Sequence, residues 1–178
     1  WERPNWFARD GAEPRDDYAM GRQHWFDAVG REHRAARQAV ALFDATSFAK
    51  FTVTGADAEA ALAWICAADI AKPPGRLTYT QMCNQRGGIE CDLTVARIAQ
   101  DQFYIVTGTG FATHDYAWIA RHLPPGLDAA LADVTDDFAV FSLMGPRARD
   151  VLGVVCHEDI SNHRFPFGDR KTSCRERV

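Results

Sequence analysis

The sequence predicts an α+β fold in which antiparallel strands are flanked by helices. Its clearest feature is a hairpin, since two strand-like runs, 77–83 and 89–98, flank the glycine-containing turn segment 84–88. A third strand-like run, 102–107, follows and leads into a helical pattern over 113–122. Because the best-defined strand pair is antiparallel, the pattern favours α+β over a doubly wound parallel sheet.

The first part of the chain predicts a helix, a strand and a second helix. Apolar residues recur at helical spacing over 27–41, and the run 48–54 is rich in aromatic and β-branched residues. Gly55 breaks that strand, and Asp57 is the predicted N-cap of the next helix. The buried face of this helix is expected to consist of Ala61, Leu62, Ile65 and Cys66.

The last part of the chain predicts two strands, a helix and a tail. The runs 131–134 and 138–143 have strand character, and Pro146 suits the first position of a helix. We expect residues 1–168 to form one domain and residues 169–178, which are strongly charged, to form a disordered or non-native tail. The chain starts abruptly and without methionine, so we expect the natural protein to begin earlier.

Composition excludes several classes of function. The chain is 47% hydrophobic and 25% charged, with a net charge of -4 and no block of basic residues, which does not favour nucleic-acid binding. No apolar run approaches the roughly 18 residues of a membrane span. Five scattered cysteines without a CxxC pair argue against a disulfide framework and against a zinc site. We therefore expect a soluble, intracellular protein without a metal.

Two local motifs lie between the third strand and the following helix. Gly108 and Gly110 form a GxG, but Thr113 stands where the dinucleotide fingerprint needs glycine or alanine, so a flexible turn is the better interpretation. His114 and Asp115 begin the helix, where Asp115 suits the helix dipole. Neither has a nucleophile at a recognisable spacing, and the sequence assigns them no chemistry.

The predicted hairpin places a carboxylate and a phenol on one surface. Strand alternation puts Glu90, Asp92 and Thr94 opposite the apolar face, while Tyr79 belongs to the outward set of its own strand. If the turn centres between residues 85 and 86, Tyr79 lies directly opposite Asp92. A centre one residue later leaves the two diagonal but on the same side. From spacing alone, a solvent-facing Tyr79–Asp92 pair is a more common arrangement than a functional site.

The sequence resembles the glycine-cleavage T-protein (aminomethyltransferase) family over nearly the whole chain up to Gly168. The segments that carry the resemblance are 42–48, 53–58, 79–95 and 143–148. Two further segments, 1–7 and 107–115, look like features of the folate domain of dimethylglycine and sarcosine dehydrogenases. Several ordered motifs at compatible spacings make this resemblance specific.

The resemblance implies a pterin-binding cavity floored by the predicted strands. Asp92 matches the aspartate that ends the family's Gly-Gly-x-x-x-Asp run, which contacts folate and is needed for catalysis. Tyr79 matches a tyrosine near the pteridine, and Phe48 forms an apolar wall where many members carry methionine. Val106 and Thr107 match the strand end that lines the pterin pocket.

The chain also departs from the family pattern. Cys91 precedes Asp92 where T-proteins often have two adjacent aspartates. The family's folate-binding body extends well past the equivalent of Gly168 and contributes further ligands. The resemblance therefore implies a partial folate-binding domain that binds folate weakly by itself.

The function implied is trapping of a methylene or iminium unit on tetrahydrofolate as 5,10-methylene-tetrahydrofolate, in a protein like dimethylglycine or sarcosine dehydrogenase. The donor is then a methylated amine or another aminomethyl compound. FAD belongs to a separate domain that this chain does not contain, and a fused FAD domain is an implied partner. The implied location is the cytoplasm, or the mitochondrial matrix in a eukaryote. Three alternatives stay open: a glycine-cleavage aminomethyltransferase, a folate-dependent demethylase, and a non-enzymatic folate-binding relative.

Overall fold

The computed structural model describes residues 4–8, 11–13 and 15–169. Its helices are α1 (Phe26–Gln38), α2 (Ala58–Ile65), α3 (Ala112–His122) and α4 (Ala148–Val155). Its strands are β1 (Ala41–Asp44), β2 (Ala49–Thr54), β3 (Leu77–Cys83), β4 (Ile89–Ala99), β5 (Gln102–Thr107), β6 (Ala130–Asp133) and β7 (Phe141–Met144). Short 3-10 turns occupy Thr109–Phe111 and Thr135–Asp137. This mixture of helices and antiparallel strands confirms the predicted α+β class.

The chain divides into two compact units. The first contains Trp1–Asp44 and Phe141–Val155, and in its described part β1 pairs antiparallel with β7. Gly145 follows β7 with a φ of 122°, and a Cβ built there would lie 2.9 Å from the carbonyl oxygen of Ala36. Only glycine fits such a close backbone approach.

The second unit, Ala45–Val140 with Cys156–Val178, contains a five-stranded antiparallel sheet in the order β3-β4-β5-β2-β6. One face of this sheet packs against α2 and α3 and forms the core. Its central buried side chains are Phe51, Val53, Leu62, Leu93, Phe103, Ile105 and Ile119. Burial of these side chains is the main stabilising contribution to the unit.

The opposite face of the sheet is covered at the β2 end and open at the β3–β4 end. Lys50 on β2 is fully buried there, and its ammonium group donates to the carbonyl oxygens of Thr46 at 2.7 Å and Phe138 at 2.6 Å. The ring of Phe138 also contacts Tyr104 edge-on. At the other end of the same face, Tyr79 remains 65% exposed. Tyr79 and Asp92 lie on this open part.

One local prediction is confirmed in its position, and two others need correction. Asp57 occupies the N-cap of α2 but makes no side-chain cap bond, because its carboxylate accepts the backbone N–H of Asp128 at 2.9 Å. The predicted strand 138–143 is realised as β7, which starts three residues later. Pro146 precedes the first residue of α4 by two positions rather than occupying it.

The two ends of the chain are partly described. Residues 1–3 of the aromatic opening lie outside the described part, as do residues 170–178 of the predicted tail. Asp169 is described, and its carboxylate forms an ion pair with Arg76. No helix in the described ranges has the length and apolar character that crossing a membrane requires.

Candidate functional site

The hairpin turn is built around the side chain of Asn84. Its Oδ1 accepts the backbone N–H groups of Arg86 at 2.9 Å and Gly88 at 3.0 Å. Gly87 adopts a φ of 79°, in the left-handed region that glycine tolerates. The pairing shifts at a bulge between Met82 and Cys83. This local geometry determines which residues of β3 lie opposite which residues of β4.

In that register Gln81 faces Asp92 and Tyr79 faces Thr94. The prediction that Tyr79 lies directly opposite Asp92 is therefore wrong. The diagonal arrangement predicted for a turn centred one residue later is confirmed. Alternation along β4 is confirmed for Cys91, which is buried, while Ile89 at the strand's start is 66% exposed. Ile89 escapes burial because the sheet ends beside it.

Asp92 is held by both neighbours on β3. Gln81 Nε2 donates a hydrogen bond to Asp92 Oδ1 at 3.1 Å. Hydrogen bonding with the Asp92 carboxylate raises the pKa of the Tyr79 hydroxyl above its ordinary value. Gln81 and Tyr79 on one strand thus both interact with an exposed carboxylate on the open face.

Removal of the Asp92 charge is expected to lower the pKa of Tyr79. In an Asp92→Asn variant, the amide accepts a weaker hydrogen bond and carries no charge to oppose phenolate formation. A pH titration of phenolate absorbance checks this, with Tyr79→Phe identifying the contribution of this ring. An unchanged Tyr79 titration in the Asn variant would show that the two side chains do not interact.

A cavity of about 430 Å³ opens beside Asp92. The pairing of β4 with β5 begins at Thr94–Val106, so the first part of β4 lies beyond the end of β5. There the chain turns away through Gly108 into the 3-10 turn, which leaves the gap. The cavity is lined by Ile89, Glu90, Asp92, Gly108, Phe111 and Asp115. It combines two apolar walls with three carboxylates.

Of the predicted site residues, Asp92 lines this cavity, whereas Phe48, Tyr79, Val106 and Thr107 are not among its lining residues. Val106 is half-buried and is paired with Lys50. Thr107 is buried on the core side, and its hydroxyl donates to Asp115 Oδ2 at 2.6 Å. Phe48 is 36% exposed in the turn before β2. The structure therefore brings Asp92 and Tyr79 into contact, while Thr107 contacts α3 through its side chain.

A buried cluster below the cavity was not predicted as a unit. Asp115 is 1% exposed, and its Oδ1 lies 2.9 Å from His114 Nδ1. Burial and the neighbouring charge of Asp115 raise the pKa of the Cys91 thiol. His114 Nε2 lies 3.6 Å from Glu90 Oε2. These residues come from β4 and α3, so only the tertiary fold shows their proximity.

A second cavity, of about 650 Å³, lies at the hairpin turn near α2 and α3. Exposed Trp64 and the stacked rings of Trp118 and His122 contribute aromatic walls. Glu90 borders both cavities, but Asp92 borders only the smaller one. The smaller cavity is the candidate functional site because it contains the oriented carboxylate.

Comparison with known proteins identifies the fold and the family. The family described as GCVT N-terminal domain matches residues 1–175. Among solved structures, the glycine cleavage system aminomethyltransferase T from Bartonella henselae is similar with a TM-score of 0.64 and 25% identity, over 79% of this chain and 39% of that chain. This similarity confirms the predicted aminomethyltransferase fold.

Three curated relatives are named as an amine oxidase or as amine dehydrogenases. The chain is 40% identical to 4-methylaminobutanoate oxidase (formaldehyde-forming) of Paenarthrobacter nicotinovorans, over 94% of this chain and 20% of that protein. It is 34% identical to mitochondrial sarcosine dehydrogenase of Homo sapiens, over 96% and 23% respectively. It is 33% identical to mitochondrial dimethylglycine dehydrogenase of Mus musculus, over 97% and 20%. The chain thus spans about a fifth of the length of these relatives.

Proposed function

This chain belongs to the GCVT N-terminal domain family, and we propose that it is a tetrahydrofolate-binding, one-carbon transfer module of an amine-oxidising protein. In this proposal the module traps a methylene or iminium unit as 5,10-methylene-tetrahydrofolate. The observation that carries it is Asp92, a carboxylate oriented by Gln81 and Tyr79 at the edge of a cavity.

The residues around the cavity fit a reduced pterin. A reduced pterin carries amine and amide N–H donors on its edge, which suit the carboxylates of Asp92 and Glu90. The apolar side chains of Ile89 and Phe111 offer walls for its ring faces. A volume of about 430 Å³ lies within the usual range of small-ligand sites. The acidic lining disfavours the anionic glutamate end of folate, which we therefore orient away from Asp92.

Tetrahydrofolate, when bound, supplies nucleophilic nitrogens that accept a one-carbon unit. The protein's contribution is position and charge. The Asp92 carboxylate accepts a hydrogen bond from an amine held against it, takes up its proton, and stabilises positive charge nearby. Gln81 and Tyr79 prevent Asp92 from rotating away, so less reorganisation is needed. Tyr79, on the exposed surface beside Asp92, also offers a ring for stacking.

The names of the relatives favour a methylated amine as the one-carbon source. They describe an oxidase of 4-methylaminobutanoate and dehydrogenases of sarcosine and dimethylglycine, all of which are N-methylated amines. We infer that an FAD domain elsewhere in the protein, or in a partner, oxidises the amine. The cytoplasm or, in a eukaryote, the mitochondrial matrix is the proposed location, since two of the relatives are mitochondrial.

The alternative of a glycine-cleavage aminomethyltransferase is supported by the fold. The solved aminomethyltransferase T is 25% identical in sequence to this chain, whereas the amine-oxidising relatives are 33–40% identical to it. The higher identities favour the amine-oxidising assignment. Transfer from an aminomethyl-lipoyl donor, measured in the absence of any methylated amine, distinguishes the two.

A test of the proposed function measures formaldehyde released by the intact protein from its methylated amine. Addition of tetrahydrofolate is expected to lower free formaldehyde and to yield 5,10-methylene-tetrahydrofolate in equal amount, without changing amine consumption. Spontaneous condensation of formaldehyde with tetrahydrofolate is measured separately with formaldehyde added to heat-inactivated protein. A folate-product yield no higher than this spontaneous value would reject the proposed function.

A further inference from the structure

Three donor atoms of the kinds that bind transition metals lie together beneath the candidate cavity. They are Cys91 Sγ, a ring nitrogen of His114 and a carboxylate oxygen of Asp115, all within 4.8 Å of one another. Cys91 and Asp115 are buried, while the His114 side chain is 46% exposed. Sulfur, imidazole nitrogen and carboxylate oxygen are the ligand types that zinc uses. Thiolate and imidazole also disfavour the hard cations magnesium and calcium.

Further contacts hold these donors in the way that metal ligands are usually held. Thr107 Oγ1 donates to Asp115 Oδ2 at 2.6 Å, which leaves Oδ1 facing His114 Nδ1. His114 Nε2 lies 3.6 Å from Glu90 Oε2, which is longer than a hydrogen bond. Metal-bound histidines commonly donate their second N–H to a carboxylate, which fixes the tautomer and the ring. Asn84 Nδ2 in turn donates to Glu90 Oε1 at 2.7 Å.

We propose that Cys91, His114 and Asp115 bind one divalent transition-metal ion, for which zinc is the best fit. The ion takes the place of the proton between His114 Nδ1 and Asp115 Oδ1, and the Cys91 thiol loses its proton on binding. Three protein ligands leave a fourth tetrahedral position. Asp115 also borders the cavity beside Asp92, so this position is accessible to water or a small ligand from the cavity.

The site joins two elements at the point where the sheet is incomplete. Cys91 lies in the part of β4 that extends past its pairing with β5, and the other two ligands begin α3. A bound ion cross-links this part of β4 to α3, directly beside Asp92. The proposal does not depend on folate chemistry.

The test is a cobalt titration of the intact protein after removal of metals by a chelator. Co²⁺ is expected to bind one equivalent per chain and to produce a thiolate-to-cobalt charge-transfer band in the difference spectrum, which Zn²⁺ then removes. Cys91→Ser is expected to abolish the band, and His114→Gln to weaken binding strongly. Glu90→Gln, which alters the partner of His114, is expected to weaken affinity by about 10- to 100-fold.

Cys83→Ser is the matched control, because Cys83 is an exposed thiol on the neighbouring strand. Its cobalt band is expected to be that of the wild type. Circular dichroism shows whether the variants fold, and the exposed His114 gives a variant that tests the site if Cys91→Ser does not fold. The proposal is overturned if the wild type shows no thiolate band, if the band is lost in Cys83→Ser, or if folded His114→Gln binds Co²⁺ with unchanged affinity.

Discussion

Asp92→Asn is expected to lower the rate of 5,10-methylene-tetrahydrofolate formation by roughly 10²- to 10⁴-fold, which corresponds to about 3–5 kcal/mol of barrier. The substitution keeps the shape of the side chain and an oxygen that accepts from Gln81 and Tyr79. It removes the negative charge and the ability to take a proton. Because Asp92 is exposed, the free energy of unfolding should change by less than about 0.5 kcal/mol.

The same variant separates one-carbon transfer from amine oxidation. With an artificial electron acceptor, amine consumption should remain at the wild-type rate, since the proposed oxidation occurs in another domain. Formaldehyde should then accumulate in place of the folate product. Asp101→Asn, at the turn between β4 and β5, removes the same charge at the other end of the sheet and should leave both reactions unchanged. A wild-type yield of folate product in Asp92→Asn would remove Asp92 from the mechanism.

The fold of the central hairpin could be predicted because its local signals agree. Alternation along β4 separates Cys91 from Asp92, and the sequence places Tyr79 on the same side as Asp92. The register could not be fixed to one residue. It depends on the bulge after Met82 and on the Asn84 side chain bonds, which strand patterning does not show.

Long-range pairing was harder to predict than local structure. β1 is only four residues long and pairs with β7, about 100 residues later. No local pattern specifies such a partner. The N-cap position of Asp57 was predicted correctly, but its side chain accepts from Asp128, 71 residues away. Tertiary contacts outweigh a capping preference worth about 1 kcal/mol.

The candidate site also combines residues that the sequence could indicate with residues whose proximity depends on the tertiary fold. Asp92 could be proposed as a site residue because a resemblance to known motifs adds information that spacing alone lacks. Cys91 and Asp115 could not be connected, since they are 24 residues apart and belong to a strand and a helix. Each has an ordinary local interpretation, as a buried small residue and as a helix-start carboxylate. Their common environment exists only after α3 packs on the sheet.

Gly55→Ala is expected to destabilise the sheet unit by roughly 3 kcal/mol or more. Gly55 has a φ of 135°, which side-chain-bearing residues rarely adopt. A Cβ there would lie 2.8 Å from the carbonyl carbon of Asp128 and closer still to its oxygen. That oxygen accepts the backbone N–H of Asp57 at 3.0 Å, so it is not free to move away. Urea unfolding measures the loss.

Gly87→Ala separates backbone strain from this close contact. Gly87 also has a positive φ, 79°, but a Cβ there would meet nothing within 4 Å. Its cost should be about 1 kcal/mol, the usual penalty for a left-handed alanine. The difference between the two variants therefore combines the overlap at Asp128 with the greater backbone strain of a φ of 135°. Equal losses would show that the turn at Gly55 relaxes around a methyl group and that the carbonyl of Asp128 is not fixed by its bond to Asp57.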